Sequence, residues 1–395
     1  RDHYALGVEV RVPIFSTLNA QIAARYDKYD DITAVDDAVS KMFGLEWRPF
    51  ESLLLRASYA TSFRAPDMQL VFAEGAASFS GILDEYACRA GVGVGVGPGP
   101  RPSRAACNIA GDPTIYTTQT TIAGNPLLEE EKGESFGAGF VWDIMDQMSV
   151  SVDYYRIKLE DQALQLSAAT LLADEANCRL GRYSNGQTFP YAESSAYCQN
   201  VFGLITRQGG TPDGVIQRIN SAYINAALTD TSGIDASWRY RLDTDRFGDF
   251  RFDLGYSLVL TDKYKQFETD DLVDFRDDAG NNSRSRARGS IGWSNGSWET
   301  VFSGIRYGSS TSAAGADGRN AAGRTFSDRL GPFMLYNWTL GYKFNDKVRT
   351  TFSVVNVFNN QRREDSSATG YPFYSPFVGA DPMGRRFYFN VEYKF

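Results

Sequence analysis

Apolar and polar residues alternate with a period of two along most of the chain. The clearest run is 250–258, Phe-Arg-Phe-Asp-Leu-Gly-Tyr-Ser-Leu, in which every second residue is apolar and the residues between are charged or small. The same alternation recurs at 53–60, 148–154, 234–241 and 336–344. A period of two places apolar side chains on one face of an extended strand and polar ones on the other. The pattern therefore predicts an all-β protein whose sheet has one apolar and one polar face.

Aromatic residues repeatedly end the apolar faces of these strands. Amphipathic rings favour the boundary between a membrane and water. A soluble β-sandwich alternates in the same way but needs no such boundary. The aromatic positions are Tyr26, Trp47, Tyr59, Trp142, Tyr154, Trp293 and Phe344.

Short and long connections alternate between the predicted strands. The short links lie at about 13–17, 48–52, 143–147, 243–249, 295–296 and 345–346. The long connections lie near 27–38, 65–132, 159–213, 264–282, 309–331 and 359–383. One rim of tight turns and one rim of long loops is typical of an outer-membrane barrel, with the long loops outside the cell.

The connections divide the chain into about thirteen strands, if 214–242 is one long strand bent near Gly233. Bacterial single-chain barrels mostly have an even number of strands, and an open edge is not tolerated in lipid. We therefore expect 1–395 to be the C-terminal portion of a transmembrane antiparallel β-barrel, which strands preceding Arg1 complete. The absence of Met and of a signal peptide at the start fits a mature or partial product.

Composition narrows the membrane class. Aromatic residues make up 14% of the chain, yet the mean hydropathy is −0.34. No apolar run approaches the roughly 18 residues that a transmembrane helix needs, which excludes a helical membrane protein. The net charge of −8 argues against nucleic acid as a partner, since that would call for a basic stripe.

The last nine residues form the sharpest motif. One face of this predicted strand is entirely apolar, and the chain ends on an aromatic residue. A final strand of this kind resembles the signal that the barrel assembly machinery of the outer membrane reads; the alternative is a soluble amphipathic edge strand. The apolar face consists of Phe387, Phe389, Val391, Tyr393 and Phe395.

Four cysteines lie two by two in the two longest loops. We expect bonds Cys88–Cys107 and Cys178–Cys198, each closing a ring that contributes about 3 kcal/mol of stability. Such bonds persist in an oxidising compartment such as the cell surface. A metal site is the disfavoured alternative, because no CxxC spacing occurs and His3 is the only histidine. No Ser/His/Asp, Cys/His or paired-carboxylate constellation can be assembled, and His3 alone argues against histidine-dependent catalysis, so we expect neither an enzyme nor a cofactor.

Five short motifs resemble the barrel of TonB-dependent outer-membrane receptors. They are Leu55–Pro66 with its Phe-Arg-Ala-Pro step, Gly124–Ser135 with Asn-Pro-Leu-Leu-Glu, Tyr223–Ala226, Ser232–Asp235, and Asn356–Asn359 with Asn-Val-Phe-Asn. The resemblance implies a roughly 22-stranded barrel plugged by an N-terminal domain. It also implies ligand capture by the outer loops and energy from the TonB complex through an N-terminal box. This sequence contains neither plug nor box.

Two sets of residues are candidates for the functional site. Arginines on the polar faces should line the lumen, where they can pair with carboxylates of a plug or attract an anionic ligand; simple hydration is the alternative. Rings in the proline-stiffened final loop should contact ligand, or else pack among themselves. The arginines are Arg56, Arg239, Arg241, Arg251, Arg286 and Arg288, and the rings are Tyr371, Phe373, Tyr374 and Phe377.

The sequence thus predicts active uptake of a scarce ligand across the bacterial outer membrane. Siderophores, cobalamin, oligosaccharides and peptides are all candidate substrates, since fold does not fix the ligand. The expected partners are membrane lipid and lipopolysaccharide, the plug and first strands of the same protein, and the TonB complex. A passive porin-like or adhesive barrel is the second interpretation, and a soluble β-sandwich that binds a ligand is the third.

Overall fold

The computed structural model describes most of the chain. The exceptions are residues 1, 31–34, 36, 94–98, 102, 108–110, 185, 222, 266–271, 275–282, 312–328 and 362–382. The final-loop rings Tyr371, Phe373, Tyr374 and Phe377 lie outside the described residues.

Strands dominate the described residues. In chain order they are β1 (Asp2–Phe15), β2 (Leu18–Asp30), β3 (Ala38–Phe50), β4 (Leu53–Arg64), β5 (Ala76–Leu83), β6 (Ile115–Ile122), β7 (Glu131–Met145), β8 (Met148–Gln165), β9 (Ile205–Arg207), β10 (Ile216–Ser221), β11 (Tyr223–Thr244), β12 (Gly248–Lys265), β13 (Val273–Asp274), β14 (Ser285–Asn295), β15 (Trp298–Tyr307), β16 (Ser310–Thr311), β17 (Arg329–Leu330), β18 (Phe333–Lys343), β19 (Val348–Val355) and β20 (Arg386–Tyr393). The α-helices are α1 (Met68–Phe72), α2 (Glu85–Ala90), α3 (Arg104–Cys107), α4 (Ala168–Leu180) and α5 (Ala196–Gly203), and Gln208–Gly210 is a 3₁₀ turn.

One large antiparallel sheet forms the barrel wall. Its thirteen main strands follow the order β1-β2-β3-β4-β7-β8-β11-β12-β14-β15-β18-β19-β20, and the short β13 pairs with β12. Each main strand pairs with the next along this path, and the path does not close between β1 and β20. The expected all-β antiparallel class and the strand count are confirmed as a partial barrel.

The prediction of one strand over 214–242 is wrong. The segment is divided: β10 pairs parallel with β6 in a second, four-stranded sheet of order β5-β6-β10-β9, whereas β11 belongs to the barrel wall. The irregularity expected near Gly233 is present as a register shift between Ser232 and Gly233 against β12. Alternation alone predicted a strand correctly but could not indicate which sheet the strand joins.

The barrel wall carries its apolar residues on one exposed face. On β1 every second residue from Tyr4 to Ile14 is apolar and exposed. Phe389 is 67% exposed, and four apolar residues of the alternating segments described above, Leu53, Val152, Trp238 and Phe252, are partly exposed. None of the five is buried under a second sheet. A large exposed apolar band is what a lipid-facing surface requires.

The C-terminal strand pairs with β19 and presents its apolar residues on that same face. Phe389 lies opposite Phe352, and Phe387 lies opposite Val354. The residues of the expected assembly signal are all exposed: Phe387, Phe389, Val391, Tyr393 and Phe395.

The four-stranded sheet and the helices α2 to α5 form a separate body, here called the cap. Its buried core includes Ile82, Leu171, Leu172, Ile216 and Ile219. The expected disulfides are both present, Cys88–Cys107 with an S–S distance of 2.09 Å and Cys178–Cys198 with 2.02 Å. The cap therefore combines two loops that are far apart in sequence.

No helix among the described residues is long and apolar enough to cross a membrane.

A charge introduced on the apolar face should destabilise the protein, whereas a charge introduced on the polar face should not. Leu254 is 51% exposed and lies between Trp238 and Gly289 in the register. We expect Leu254→Arg to lower the free energy of unfolding in lipid vesicles by about 2–4 kcal/mol, because the guanidinium would enter hydrocarbon. Urea titration of the refolded protein measures this.

The matched control is Ser303→Arg, at mid-strand on the polar face opposite Ser290. It should change the unfolding free energy by less than about 1 kcal/mol, because a polar face remains in water. Equal losses for the two variants would contradict the assignment of faces.

Candidate functional site

Ion pairs cross the polar face of the barrel wall from strand to strand. The Arg56 guanidinium on β4 donates two hydrogen bonds to the Asp153 carboxylate on β8, at 2.9 and 2.6 Å. The strand between them, β7, contributes Gly139 at this level of the register. A Cβ at Gly139 would overlap the Asp153 carboxylate, so glycine is what allows the bridge to pass over β7.

A second ion pair crosses an intervening strand in the same way, further along the wall. Arg349 on β19 donates to Glu299 on β15, over the intervening β18. The β18 residue opposite Glu299 is Gly341, where a Cβ would overlap the glutamate side chain. The polar face therefore carries at least two charged pairs that each span three strands.

The register places all six predicted lumen arginines on this polar face, but their surroundings differ. Arg56 is ion-paired, Arg239 approaches Asp253 at 3.9 Å, and the Arg286 guanidinium lies 4.8 Å from the centre of the Tyr307 ring. In the described part of the chain, Arg241, Arg251 and Arg288 have no carboxylate within 4.0 Å. The six share a face, and only two of them have an acidic neighbour.

The Asn-Pro-Leu-Leu-Glu motif fastens the cap to the barrel rim. Asn225 accepts a hydrogen bond from the Glu129 backbone N–H at 2.9 Å, and its amide donates to the carbonyls of Glu129 and Asp161. The Asn125 side chain donates to the Tyr223 carbonyl at 2.7 Å. The two asparagines thus satisfy backbone groups where β7, β8 and β11 leave the wall.

The Phe-Arg-Ala-Pro step lies beside a rim cavity of about 610 Å³. Asp27 is almost fully buried there, and it accepts hydrogen bonds from Arg25 and lies 2.7 Å from His3 Nε2. Tyr29 stacks on His3 and meets Phe63 edge to face. The site offers rings and guanidinium groups together. His3 entered the sequence-based predictions only in connection with a metal site and with catalysis, which is why they missed this one.

A buried ion cluster joins the two loops of the cap. The Arg207 guanidinium donates to Asp84 at 2.8 and 2.9 Å and to Glu175 at 2.8 and 2.6 Å. All three side chains are less than 5% exposed. Burial opposes the charge on Arg207, but the hydrogen bonds that the guanidinium donates to its two acidic partners outweigh burial and raise the pKa of Arg207.

A second group of buried polar side chains extends this cluster. Arg89, 1% exposed, donates to Glu85 at 3.0 Å and to Asn177 at 2.9 Å. Tyr116 donates its hydroxyl to Asp84, and burial together with that carboxylate raises the pKa of the phenol. Because each buried charge has a partner, the cluster fixes the helices of one loop against the strands of the other.

Aromatic rings pack around the Cys178–Cys198 disulfide. Phe189 is buried and meets Tyr183 and Tyr191 edge to face, and Tyr191 stacks on Tyr197 with ring centres 4.5 Å apart. The three tyrosines are partly exposed. Sequence reasoning placed its candidate rings in the final loop and missed this group, although the density of tyrosine between the two cysteines is visible in the sequence.

Across the residues that the structure describes, no group of three or more His, Cys, Asp or Glu side chains is arranged to hold a metal ion.

Removal of the Arg207 charge should loosen the cap alone. We expect Arg207→Gln to lower the stability of the cap by about 3 kcal/mol, because it leaves Asp84 and Glu175 buried without their partner. Amide hydrogen exchange in α4 and β10 should then accelerate, while the barrel strands stay protected.

Arg218→Gln is the control for this prediction, since Arg218 is an exposed cap residue on β10. Its exchange should match the wild type. Unchanged exchange in the Arg207 variant as well would mean that the ion cluster does not hold the loops together.

Comparison with known proteins agrees with this architecture. The family model described as "TonB dependent receptor-like, beta-barrel" matches residues 1–357. A search of curated proteins found no match.

Similar solved structures include a mutant of the ferric enterobactin receptor PfeA from Pseudomonas aeruginosa (16% identity, TM-score 0.58), the siderophore receptor PirA from Acinetobacter baumannii (14%, 0.59) and the FrpB iron transporter from Neisseria meningitidis (15%, 0.54). Each alignment covers 100% of this chain and 45%, 46% and 45% of the respective structure, so the chain spans less than half of their length. At these identities the likeness shows a shared fold. The family match over most of its length shows that the chain belongs to the TonB-dependent receptor β-barrel family.

Proposed function

We propose that the chain is the C-terminal part of the barrel of a receptor that actively takes up a scarce ligand across the bacterial outer membrane. The observation that carries the proposal is the combination of a charged inner wall with a folded, disulfide-bonded cap on the long-loop rim, in a barrel of this family. The cap would capture ligand outside the cell. The wall would enclose a plug supplied by the rest of the protein.

The proposed partners follow from the two faces. Lipid would contact the exposed apolar band, and lipopolysaccharide would surround its outer edge. The TonB complex would supply energy through the N-terminal part of the complete receptor. The ligand would belong to the siderophore, cobalamin, oligosaccharide or peptide class, and we expect binding and transport without catalysis.

A passive porin is the second candidate, and the cap weighs against it. A porin gains nothing from a rigid body with a core of its own above the lumen, because diffusion requires an open path. Two disulfides and a buried ion cluster make the cap stiff, and stiffness lowers the entropy cost of gripping a ligand.

Energy dependence tests the proposal. Cells that express the complete receptor should accumulate at least one of four labelled probes, ferric enterobactin, cobalamin, maltohexaose or a tetrapeptide. Accumulation should stop when tonB is deleted or the proton gradient is dissipated. Probe entry that survives both treatments would identify a passive channel instead.

The final loop provides a second test. We expect Tyr371→Ala with Tyr374→Ala to weaken binding of the transported probe roughly tenfold, because rigid rings would be lost from the contact surface. Surface abundance should stay normal, as measured by antibody labelling of intact cells.

Tyr388→Ala serves as the control, because Tyr388 is a tyrosine of the barrel wall, on the polar face of β20 opposite Ser353, and is not part of the final loop. It should leave probe affinity unchanged. Normal affinity in the loop variant would remove Tyr371 and Tyr374 from the binding surface.

A further inference from the structure

Two arginines face each other on the polar side of the barrel wall. Arg241 on β11 and Arg251 on β12 are direct cross-strand partners. Like charges in this arrangement destabilise a sheet. Elsewhere on the same face the pattern is the opposite, since Arg56 meets Asp153 and Arg239 lies opposite Asp253.

No carboxylate of the described residues lies within 4.0 Å of either guanidinium. On the far side of Arg251, β14 contributes Gly292, so no side chain from that strand crosses to compensate the charge. Open hollows of about 710 and 640 Å³ lie along the pair, and Arg241 and Arg251 line both of them. The two guanidinium groups are thus exposed toward the lumen with space in front of them.

We infer that Arg241 and Arg251 form a binding site for a carboxylate on a polypeptide segment that lies inside the lumen. Each guanidinium group carries parallel N–H donors, the arrangement that a carboxylate accepts best. The carboxylate would also remove the repulsion between the arginines. This inference rests on the proposed function, because it names a contact of the polypeptide that fills the receptor barrel.

The next row of the register indicates polypeptide rather than a small anion. Asp243 and Asp249 are also direct partners, one step closer to the turn that joins β11 and β12. The arginine pair and the neighbouring aspartate pair together complement a polypeptide segment that carries an acidic residue followed by a basic one. A free anion would instead require an enclosed pocket that buries most of its surface. This part of the wall is an open surface.

The position agrees with this interpretation. The pair lies near the Thr244–Gly248 end of the strands, whereas the cap is attached at the Tyr223 end of β11. Ligand captured by the outer loops would first meet the opposite end of the wall. A domain inside the lumen would be in contact with the pair at all times.

The complete receptor with Arg241→Gln and Arg251→Gln tests the inference through the seal of the lumen. Loss of the charge-assisted hydrogen bonds should increase opening of the lumen roughly tenfold. The measurements are ion conductance of the purified receptor in planar bilayers and sensitivity of cells to vancomycin, which a sealed lumen excludes. The variant with Arg241→Lys and Arg251→Lys keeps the charge but loses the parallel N–H donors, so it should regain only part of the seal.

The control is Arg246→Gln, which removes an exposed arginine from the turn that joins the same two strands, β11 and β12. It should leave conductance at the wild-type level. Heat-modifiable migration in gel electrophoresis verifies that every barrel is folded, and a misfolded glutamine variant would be replaced by the single variants.

The other outcomes are decisive. Unchanged conductance with weaker binding of the transported probe would assign the arginines to a small anionic ligand and overturn the inference. Unchanged conductance and unchanged probe binding would overturn it as well. A wild-type receptor that conducts freely would overturn the proposed function itself, a result that the variants cannot produce.

Discussion

Backbone hydrogen bonding in hydrocarbon is the constraint on which the rest of this structure depends. No water is present there to satisfy an N–H or a carbonyl, so each strand must pair along its length with a neighbour on both sides. The antiparallel order from β1 to β20 meets that requirement for every interior strand. Because pairing also fixes which residues share a face, the same constraint places exposed apolar residues such as Leu254 on one side and charged residues such as Arg56 on the other.

The cap is stabilised in a different way, since it buries its apolar side chains inside, as a soluble domain does. It buries Leu171 and Ile219 in a core and shields Arg207 between two carboxylates. A lone loop could not supply these parts, because Asp84 and Arg207 are 123 residues apart in sequence. The cap therefore forms only when both loops have left the wall at the correct places. The Asn125 and Asn225 contacts fix those places.

The wall could be predicted from the sequence because its signal is local. Alternation, aromatic ends and tight turns each occupy a few residues, and both disulfides followed from the position of the cysteines within single loops. The cap could be predicted only in part. The sequence predicts one bent strand over 214–242, yet Ile216 and Ile219 of β10 are buried in the cap, and β10 pairs in parallel with a strand about a hundred residues earlier. The alternation likewise placed the six arginines on one face. Which of them lies beside a carboxylate, however, depends on the pairing register of strands that are far apart in sequence.

Glycine placement decides how charges on the wall are paired. At Gly139 the missing side chain opens a path between Arg56 and Asp153, and Gly341 does the same for Glu299 and its arginine partner. Gly292 opens a comparable path beside Arg251, but the residue beyond it on β15 is Val301. The same local geometry thus leads to a satisfied pair where an acid follows and to an exposed charge where a valine follows. The wall therefore contains two kinds of charged position. Some are paired by an acid of the wall itself, and others, such as Arg251, are left for a group in the lumen to pair.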